Sequence, residues 1–562
     1  MEKNKLLIIG GVAGGASAAA RARRISEDWE IVVLERGPHV SFANCGLPYY
    51  VGNVIKEQDH LLLADPDLFR TRFNIDVRVR NEAVSVNPGA KIVRVRNLET
   101  GQEYDEAYDS LLLSPGAAPV RPGLPGIDLP GIFTVRNIPD ATRIMEWIDN
   151  HETKHAVVVG AGYIGLEMCE NLMERGIEVT IVEMQDQALP ILDREMATYV
   201  HEHLAEEGVE LILGQSVTGF STRPDGDMDV ALSSGESLQA DLVVMSIGVR
   251  PEVSLARDAG LTIGETGGIL VDDTMRTSDP HIWAVGDAVE VTAYVTGVKR
   301  LIPLAGPANR QGRLAADVIL GNGGPPPRFR GVQGTSVCGF LGLTVANTGE
   351  TEKTLDALAR AGRAIDYEKV YIHNFHHSSY YPGAEVISLK LLFEKPGGRI
   401  LGAQAVGKEG TEKRIDVIAM AIQLGGTVQD LEQAELCYAP QYGAAKDPVN
   451  IAGMVAANYL AGFAPIAHWE DVDFKDGILL DVRSTPEVIE EIVEGATHIH
   501  VGQLRSRLGE LPRDRDIYVF CHVGQRAHIA TRMLREHGYR AYNLTGGYLT
   551  HIGVEGMHRE DV

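Results

Sequence analysis

Short apolar runs, each closed by glycines or an acid, recur along the chain in a repeating order. Residues 6–10 read Leu-Leu-Ile-Ile-Gly, an alanine-rich stretch follows, and residues 30–35 read Glu-Ile-Val-Val-Leu-Glu. The same order returns at 156–160 (Ala-Val-Val-Val-Gly) and at 178–183 (Glu-Val-Thr-Ile-Val-Glu). A run of four or five apolar residues bounded by turn formers predicts a strand buried on both faces, and the stretch between two such runs predicts a helix. Each copy therefore predicts strand, glycine turn, helix and a second strand ending on an acid, the βαβ unit of a parallel doubly wound sheet. Runs at 242–247 and 282–285 predict further strands. The glycine- and proline-rich stretch 321–327 predicts a domain boundary, and a turn-rich connection at 462–465 precedes a last block with strands predicted at 478–482 and 517–520.

The 562 residues correspond to roughly three to four domains at about 150 residues each. With 44% hydrophobic and 23% charged residues the composition is that of a folded protein, which excludes a disordered or collagenous chain. A net charge of -25 repels nucleic acid and anionic lipid, so neither is expected as a partner, and an anionic ligand needs a local basic cluster. The five cysteines lack metal-ligand spacing and are too spread for a disulfide framework, so no metal is expected and a reducing cytoplasm fits best. Residues 6–20 are free of charge behind Lys3 and Lys5, as in a secretory signal, but Gly10, Gly11, Gly14 and Gly15 break the run as a phosphate-binding turn does. No other stretch approaches the ~18 apolar residues of a membrane span.

Gly160, Gly162 and Gly165 follow a predicted strand, and Glu183 lies eighteen positions after the last of them. This is a dinucleotide fingerprint in context: the first glycine for the tight turn, the second for approach of the pyrophosphate, the third for helix packing. Glu183 is expected to accept from a ribose 2′-OH and to repel a 2′-phosphate, favouring NADH over NADPH. In the first copy Gly10 and Gly15 align with the outer glycines and Val12 replaces the middle one, with Gly11 and Gly14 supplying the missing freedom; Glu35 suits a second ribose.

Two such units, together with residues 283–287 (Trp-Ala-Val-Gly-Asp), resemble the two-dinucleotide flavoprotein disulfide reductases over residues 1 to about 460. The resemblance implies FAD in the first unit, with Gly10, Gly11, Gly14, Glu35, Arg36, Ser114, Gly116 and Asp287 as its contacts. It also makes Cys45, in the motif 41–48 (Ser-Phe-Ala-Asn-Cys-Gly-Leu-Pro), the redox thiol rather than a small buried apolar residue. Dithiol members carry a second cysteine five residues on. Here that position is Tyr50, so the partner sulfur is expected from an exogenous thiol or persulfide, or is replaced by a sulfenic oxygen.

Two single-cysteine subclasses remain. NADH peroxidases and oxidases carry a histidine in the first glycine turn, where this chain has Ala13. Coenzyme A disulfide reductases use a tyrosine pair from the partner subunit, and Tyr380 and Tyr438 resemble that pair, with Tyr381 and Tyr442 close by as alternatives for the proton donor. In that family the helix after the first turn contributes to the coenzyme A site. This implies Arg21 and Arg24, with Arg23 between them, at the phosphates, and Ser41 and Asn44 near the pantetheine end.

In the last block Cys521 follows a predicted strand and Arg526 ends the loop. Such a loop gathers N–H groups around the sulfur and stabilises a thiolate or persulfide. The Cys-x4-Arg spacing resembles rhodanese rather than the Cys-x5-Arg of protein phosphatases, and residues 480–483 (Leu-Asp-Val-Arg) and 546–548 (Gly-Gly-Tyr) resemble rhodanese landmarks. His376 and His377 read as loop histidines, and Cys169, Cys338 and Cys437 as packing residues.

The whole is similar to a coenzyme A disulfide reductase fused to a rhodanese domain, a family associated with reduction of coenzyme A persulfides and polysulfides. The expected fold is α/β: an FAD-binding domain (1–115 and 250–322) and an NADH-binding domain (116–249), both Rossmann-like, an α+β dimerisation domain (323–462) and a rhodanese-like α/β domain (466–562). The implied reaction carries electrons from NADH through FAD to sulfur at Cys45, with Cys521 and Arg526 handling sulfane sulfur in a cytoplasmic homodimer. Its rivals are an NADH oxidase or peroxidase with an accessory sulfurtransferase, and a redox-sensing interaction protein without turnover.

Overall fold

The computed structural model describes residues 3–223, 227–321, 324–472 and 476–559. The chain forms two compact units, one built from 1–184 and 215–334 and the other from 185–214 and 335–562. The boundary stretch expected at 321–327 falls partly outside the described residues, at 322 and 323.

The first unit contains both duplicated βαβ units. Its first parallel sheet runs Ile282–Ala284, Ser110–Leu113, Lys5–Ile9, Glu30–Glu35, Asp76–Val79. Leu6, Leu7 and Ile8 are completely buried, as their uninterrupted apolar run requires of a strand covered on both faces. Helix Ala13–Ile25 follows, and its small residues let it approach helix Ala305–Leu320 so closely that a Cβ on Gly312 would stand 2.1 Å from the Gly14 carbonyl oxygen. The second parallel sheet contains Glu178–Val182, His155–Val159, Leu242–Met245 and Ile132–Phe133 in that order. Lys5 lies opposite Glu30 in the first copy and His155 opposite Glu178 in the second, so the duplication holds down to strand register.

The second unit opens with an antiparallel sheet in the order Ser336–Phe340, Leu343–Gly349, Ile400–Gly407, Val386–Glu394, Tyr367–Phe375. Strand Ile400–Gly407 is buried throughout, with helix Thr411–Gln423 against the sheet. A parallel sheet follows, in the order Ile466–Ala467, Arg540–Leu544, Asp516–Phe520, Gly477–Asp481, Thr497–His498. The two sheets are tied together: the Tyr371 N–H donates to Thr545 Oγ1 at 3.0 Å, and His373 Nε2 lies 2.8 Å from Thr550 Oγ1. Burial, with His522 nearby, pushes the His373 imidazole down to about 3, so this tie stays uncharged at neutral pH.

Residues 185–214, inside the 116–249 stretch, belong to this second unit. They bring Asp193 and Glu195 to Lys390, whose ammonium is completely buried and also meets Glu352. Three carboxylates converge there as a metal site would require, and the Lys390 ammonium supplies the cation. Burial alone would lower Lys390, yet the surrounding carboxylates hold it well above its ordinary value. Among the described residues no helix is long and apolar enough to cross a membrane.

Candidate active site

The two glycine turns share one geometry. A Cβ on Gly15 would strike the Gly10 carbonyl oxygen at 1.9 Å, and one on Gly165 would strike that of Gly160 at 2.0 Å, so the outer glycines correspond despite Val12. Gly10 and Gly160 both have positive φ, +94° and +105°, which only glycine adopts without strain. The acids at the ends of the second strands reach the turns in the same way: the Gly11 N–H donates to Glu35 Oε2 at 2.9 Å and the Ala161 N–H to Glu183 Oε2 at 2.8 Å. Gly162 differs. A Cβ there would meet nothing within 4 Å, so its side-chain freedom matters only to something that lies over the turn, as a pyrophosphate does.

Beside the first turn lies a cavity of about 600 Å³, lined by Gly10, Glu35, Arg36, Ser114, Gly116 and Asp287. That volume suits a cofactor. Glu35 offers acceptors at the turn, and Asp287 holds a carboxyl raised by burial and partly restored by the Arg136 charge. Arg36 donates to Glu252 through its two terminal guanidinium nitrogens, at 3.2 and 2.5 Å. Hydroxyl-accepting carboxylates on a glycine turn fit a dinucleotide with ribose and polyol groups.

Cys45 sits exposed in the short turn Asn44–Gly46, ahead of helix Leu47–Val51. This helix packs tightly on helix Tyr163–Met173, since a Cβ on Gly52 at its end would stand 2.1 Å from Asn171 Oδ1. Desolvation raises the thiol of Cys45, and the carboxylates of Glu167 and Asp287 raise it further. Glu167 is itself pushed up to about 7 by burial and by Glu170, against a hydrogen bond from Tyr49. Tyr50, at the position of a second thiol, is buried, and Cys169 is completely so.

In the second unit the phenol oxygens of Tyr380 and Tyr438 lie 3.0 Å apart, both side chains exposed. Their hydrogen bond lowers Tyr380 and raises Tyr438, as two phenols sharing a proton must. Tyr381 and Tyr442 are also exposed.

Cys521 closes strand Asp516–Phe520 and is completely buried. The Gly524 N–H donates to its sulfur at 3.2 Å, and helix Gln525–Glu536 begins at the next residue. Both features direct positive partial charge at the sulfur. The Arg526 guanidinium interacts with the sulfur and forms a two-pronged pair with Glu487, at 2.7 and 2.5 Å.

The pyridine nucleotide-disulphide oxidoreductase signature matches residues 4–312. The chain belongs to that family. The dimerisation domain of the same oxidoreductases matches residues 335–447, and a rhodanese-like domain matches 467–550. Coenzyme A disulfide reductase of Staphylococcus haemolyticus is 33% identical over 80% of this chain and 99% of its own length. Reduced CoADR-RHD of Bacillus anthracis superposes with a TM-score of 0.95 at 47% identity, covering 99% of both chains. The NAD-dependent persulfide reductase of A. fulgidus gives 0.89 at 39% identity, covering 97% of this chain and 99% of its own.

In this member of the oxidoreductase family the residues expected at coenzyme A have varied surroundings. Arg21 donates to Asp317 at 2.7 Å, and Arg24 is exposed over the Phe73 ring at 5.5 Å. Arg23 is buried and donates to the carbonyls of Phe73, Ser26, Trp29 and Asn74, so it braces the helix. Ser41 is half-buried and its N–H donates to the Gly11 carbonyl at 2.8 Å, while Asn44 is exposed beside Cys45. Cys169 and Cys338 are buried as packing residues, but Cys437 is exposed, because the irregular stretch that presents Tyr438 carries it out of the core. His376 accepts the Glu385 N–H at 3.0 Å, and the buried His377 lies with Nδ1 3.0 Å from the Ser378 carbonyl. Sequence reasoning overlooked Glu167, Tyr49, Arg136 and Glu487. For Glu487 a signal existed: it stands three residues after Ser484, the spacing of a capping box.

Proposed function

We propose that this oxidoreductase uses NADH and FAD to reduce coenzyme A disulfide, or the persulfide and polysulfide forms of coenzyme A, through Cys45, with Cys521 handling sulfane sulfur. The observation that carries the reading is a solvent-facing thiol with no second thiol in its motif: Cys45 is exposed while the buried Tyr50 fills the second position. FAD suits the cavity beside Gly10, held by Glu35, Ser114, Gly116 and Asp287; a dinucleotide over Gly160, Gly162 and Gly165 meets Glu183. When bound, the flavin supplies the electron pair that NADH brings.

The chain's own residues do the sulfur chemistry. The Cys45 thiolate attacks the coenzyme-side sulfur of a persulfide. A bond forms between Cys45 and that sulfur, the sulfur–sulfur bond of the substrate breaks, and hydrosulfide leaves with the electron pair. Tyr438 or Tyr380 of a second copy protonates the leaving group, and two electrons with one proton then return Cys45 as the thiolate and coenzyme A as the thiol. Arg21, Arg24, Ser41 and Asn44 bind the coenzyme. The domain limits 1–115 with 250–322, 116–249, 323–462 and 466–562, the homodimer and a cytoplasmic setting belong to this reading; the matched dimerisation domain supports the dimer and the free cysteines support the reducing setting.

The test joins two variants. Cys45→Ser is expected to abolish NADH-dependent persulfide reduction with flavin still bound, and intact mass of the unreduced wild type is expected to include a coenzyme A adduct on Cys45. Cys521→Ser is expected to remove sulfurtransferase activity and to spare reduction of a small persulfide. Full persulfide turnover in Cys45→Ser would overturn the reading, and equal loss of both activities in Cys521→Ser would make relay through Cys521 obligatory.

A further inference from the structure

We infer that Glu487 determines the specificity of the Cys521 centre, selecting persulfides over oxyanion donors such as thiosulfate; this rests on the reading of Cys521 as a sulfur carrier. Arg526 is the loop cation that interacts with the Cys521 sulfur. Both prongs of its guanidinium are engaged by Glu487, Nη1 to Oε2 at 2.7 Å and Nη2 to Oε1 at 2.5 Å. The carboxylate is not a mobile counter-ion. It accepts the Ser484 N–H at 2.9 Å and the Ser484 hydroxyl, closing the capping box of helix Thr485–Glu490. Arg483, whose guanidinium lies 5.4 Å from the centre of the Phe520 ring, is buried and paired with Asp481 at 2.9 Å.

The Cys521 centre therefore presents backbone donors to the sulfur, the Gly524 N–H and a helix N-terminus, while the charge of Arg526 is already balanced by Glu487. Thiosulfate brings two negative charges and would have to share Arg526 with a fixed carboxylate. The sulfane end of a persulfide carries at most one. In the transfer, the Cys521 thiolate attacks that sulfane sulfur, a new S–S bond forms, the donor's S–S bond breaks, and the electron pair departs on the thiolate, which takes the proton. Cyanide then takes the sulfane sulfur as thiocyanate and the electron pair of the broken bond returns to the Cys521 thiolate.

Full-length, flavin-loaded protein is assayed without NADH, with cyanide as acceptor and either thiosulfate or coenzyme A persulfide as donor. The wild type is expected to favour the persulfide in kcat/KM by about tenfold or more. Glu487→Gln frees Arg526 and is expected to lower KM for thiosulfate by about tenfold, with kcat and the persulfide KM changed by less than about twofold. Glu487→Asp keeps the charge and is expected to retain wild-type preference. A general structural defect would not improve thiosulfate binding. Wild-type preference for thiosulfate overturns the inference, as does a folded Glu487→Gln with unchanged or raised thiosulfate KM. If Glu487→Gln does not fold, the wild-type donor ratio decides. Absence of any sulfur on Cys521 by intact mass, with either donor, overturns the carrier reading and the inference with it; loading by both donors with no shift in Glu487→Gln overturns the inference alone.

Discussion

The phenol oxygens of Tyr380 and Tyr438 stand 3.0 Å apart although 58 residues separate them in the chain. One comes from the turn after strand Tyr367–Phe375, the other from the irregular stretch before helix Pro448–Leu460. Two hydroxyls at this distance hold one proton between them, and the lowered Tyr380 can keep the charge when Tyr438 gives a proton away.

The double variant Tyr380→Phe,Tyr438→Phe is expected to lose about 100-fold or more in kcat for persulfide reduction. Reduction of the bound flavin by NADH should stay normal. Mixing it with Cys45→Ser chains should restore activity in hybrid dimers; verified subunit exchange without recovery would rule out a shared site.

Burial raises the Cys45 thiol, and the Glu167 carboxylate raises it further. The Glu167 carboxyl, raised to about 7, is mostly neutral below that pH and ionises as pH rises through it, and the ionised form opposes the Cys45 thiolate. Glu167→Gln is expected to lower the thiol's pKa and to speed iodoacetamide alkylation of reduced Cys45 at pH 8. Because the native acid holds its proton above the ordinary carboxyl range of about 4.3, Glu167 also subtracts stability progressively as pH rises from there through about 7. The variant should flatten that part of the stability profile in denaturant titrations.

Glu183 is expected to make NADH better than NADPH in kcat/KM by about tenfold or more, since a 2′-phosphate would face a buried carboxylate. Steady-state kinetics with both nucleotides checks this, and equal efficiencies would remove Glu183 from that role.

Lys390→Met leaves Asp193, Glu195 and Glu352 without their buried cation. A loss of about 3–5 kcal/mol is expected in unfolding of the second unit. Asp193 and Glu352 are held low, so their contribution is present above about pH 4 and lost as pH falls through their folded values. Lys390 is held high, so its contribution is present below about pH 10 and lost as pH rises through its folded value. Denaturation of wild type and variant across pH measures both edges.

Much of the architecture was legible along the chain because its signals are local. The run at 30–35 emerged as strand Glu30–Glu35, 517–520 as Asp516–Phe520 and 242–247 as the shorter Leu242–Met245. Apolar runs bounded by glycines specify buried parallel strands whatever surrounds them, and the glycine turns carry their own steric reason in Gly10 and Gly160. Cys45, Tyr50, Cys521 and Arg526 were likewise visible from motif spacing.

What tertiary structure alone decided are pairings between distant residues and the degree of burial. Arg23 looked like its neighbours Arg21 and Arg24, yet four backbone carbonyls claim it; Cys437 looked like a packing residue, yet it is exposed. Glu167 reaches its raised pKa because burial adds to the Glu170 charge, and residues 185–214 belong to the second unit, where Asp193 and Glu195 meet Lys390. Electrostatic partners and desolvation act through space and fall off within a few ångströms. The sequence determined the strands, turns and reactive residue types; which charge each reactive group meets depended on where the folded chain placed its neighbours.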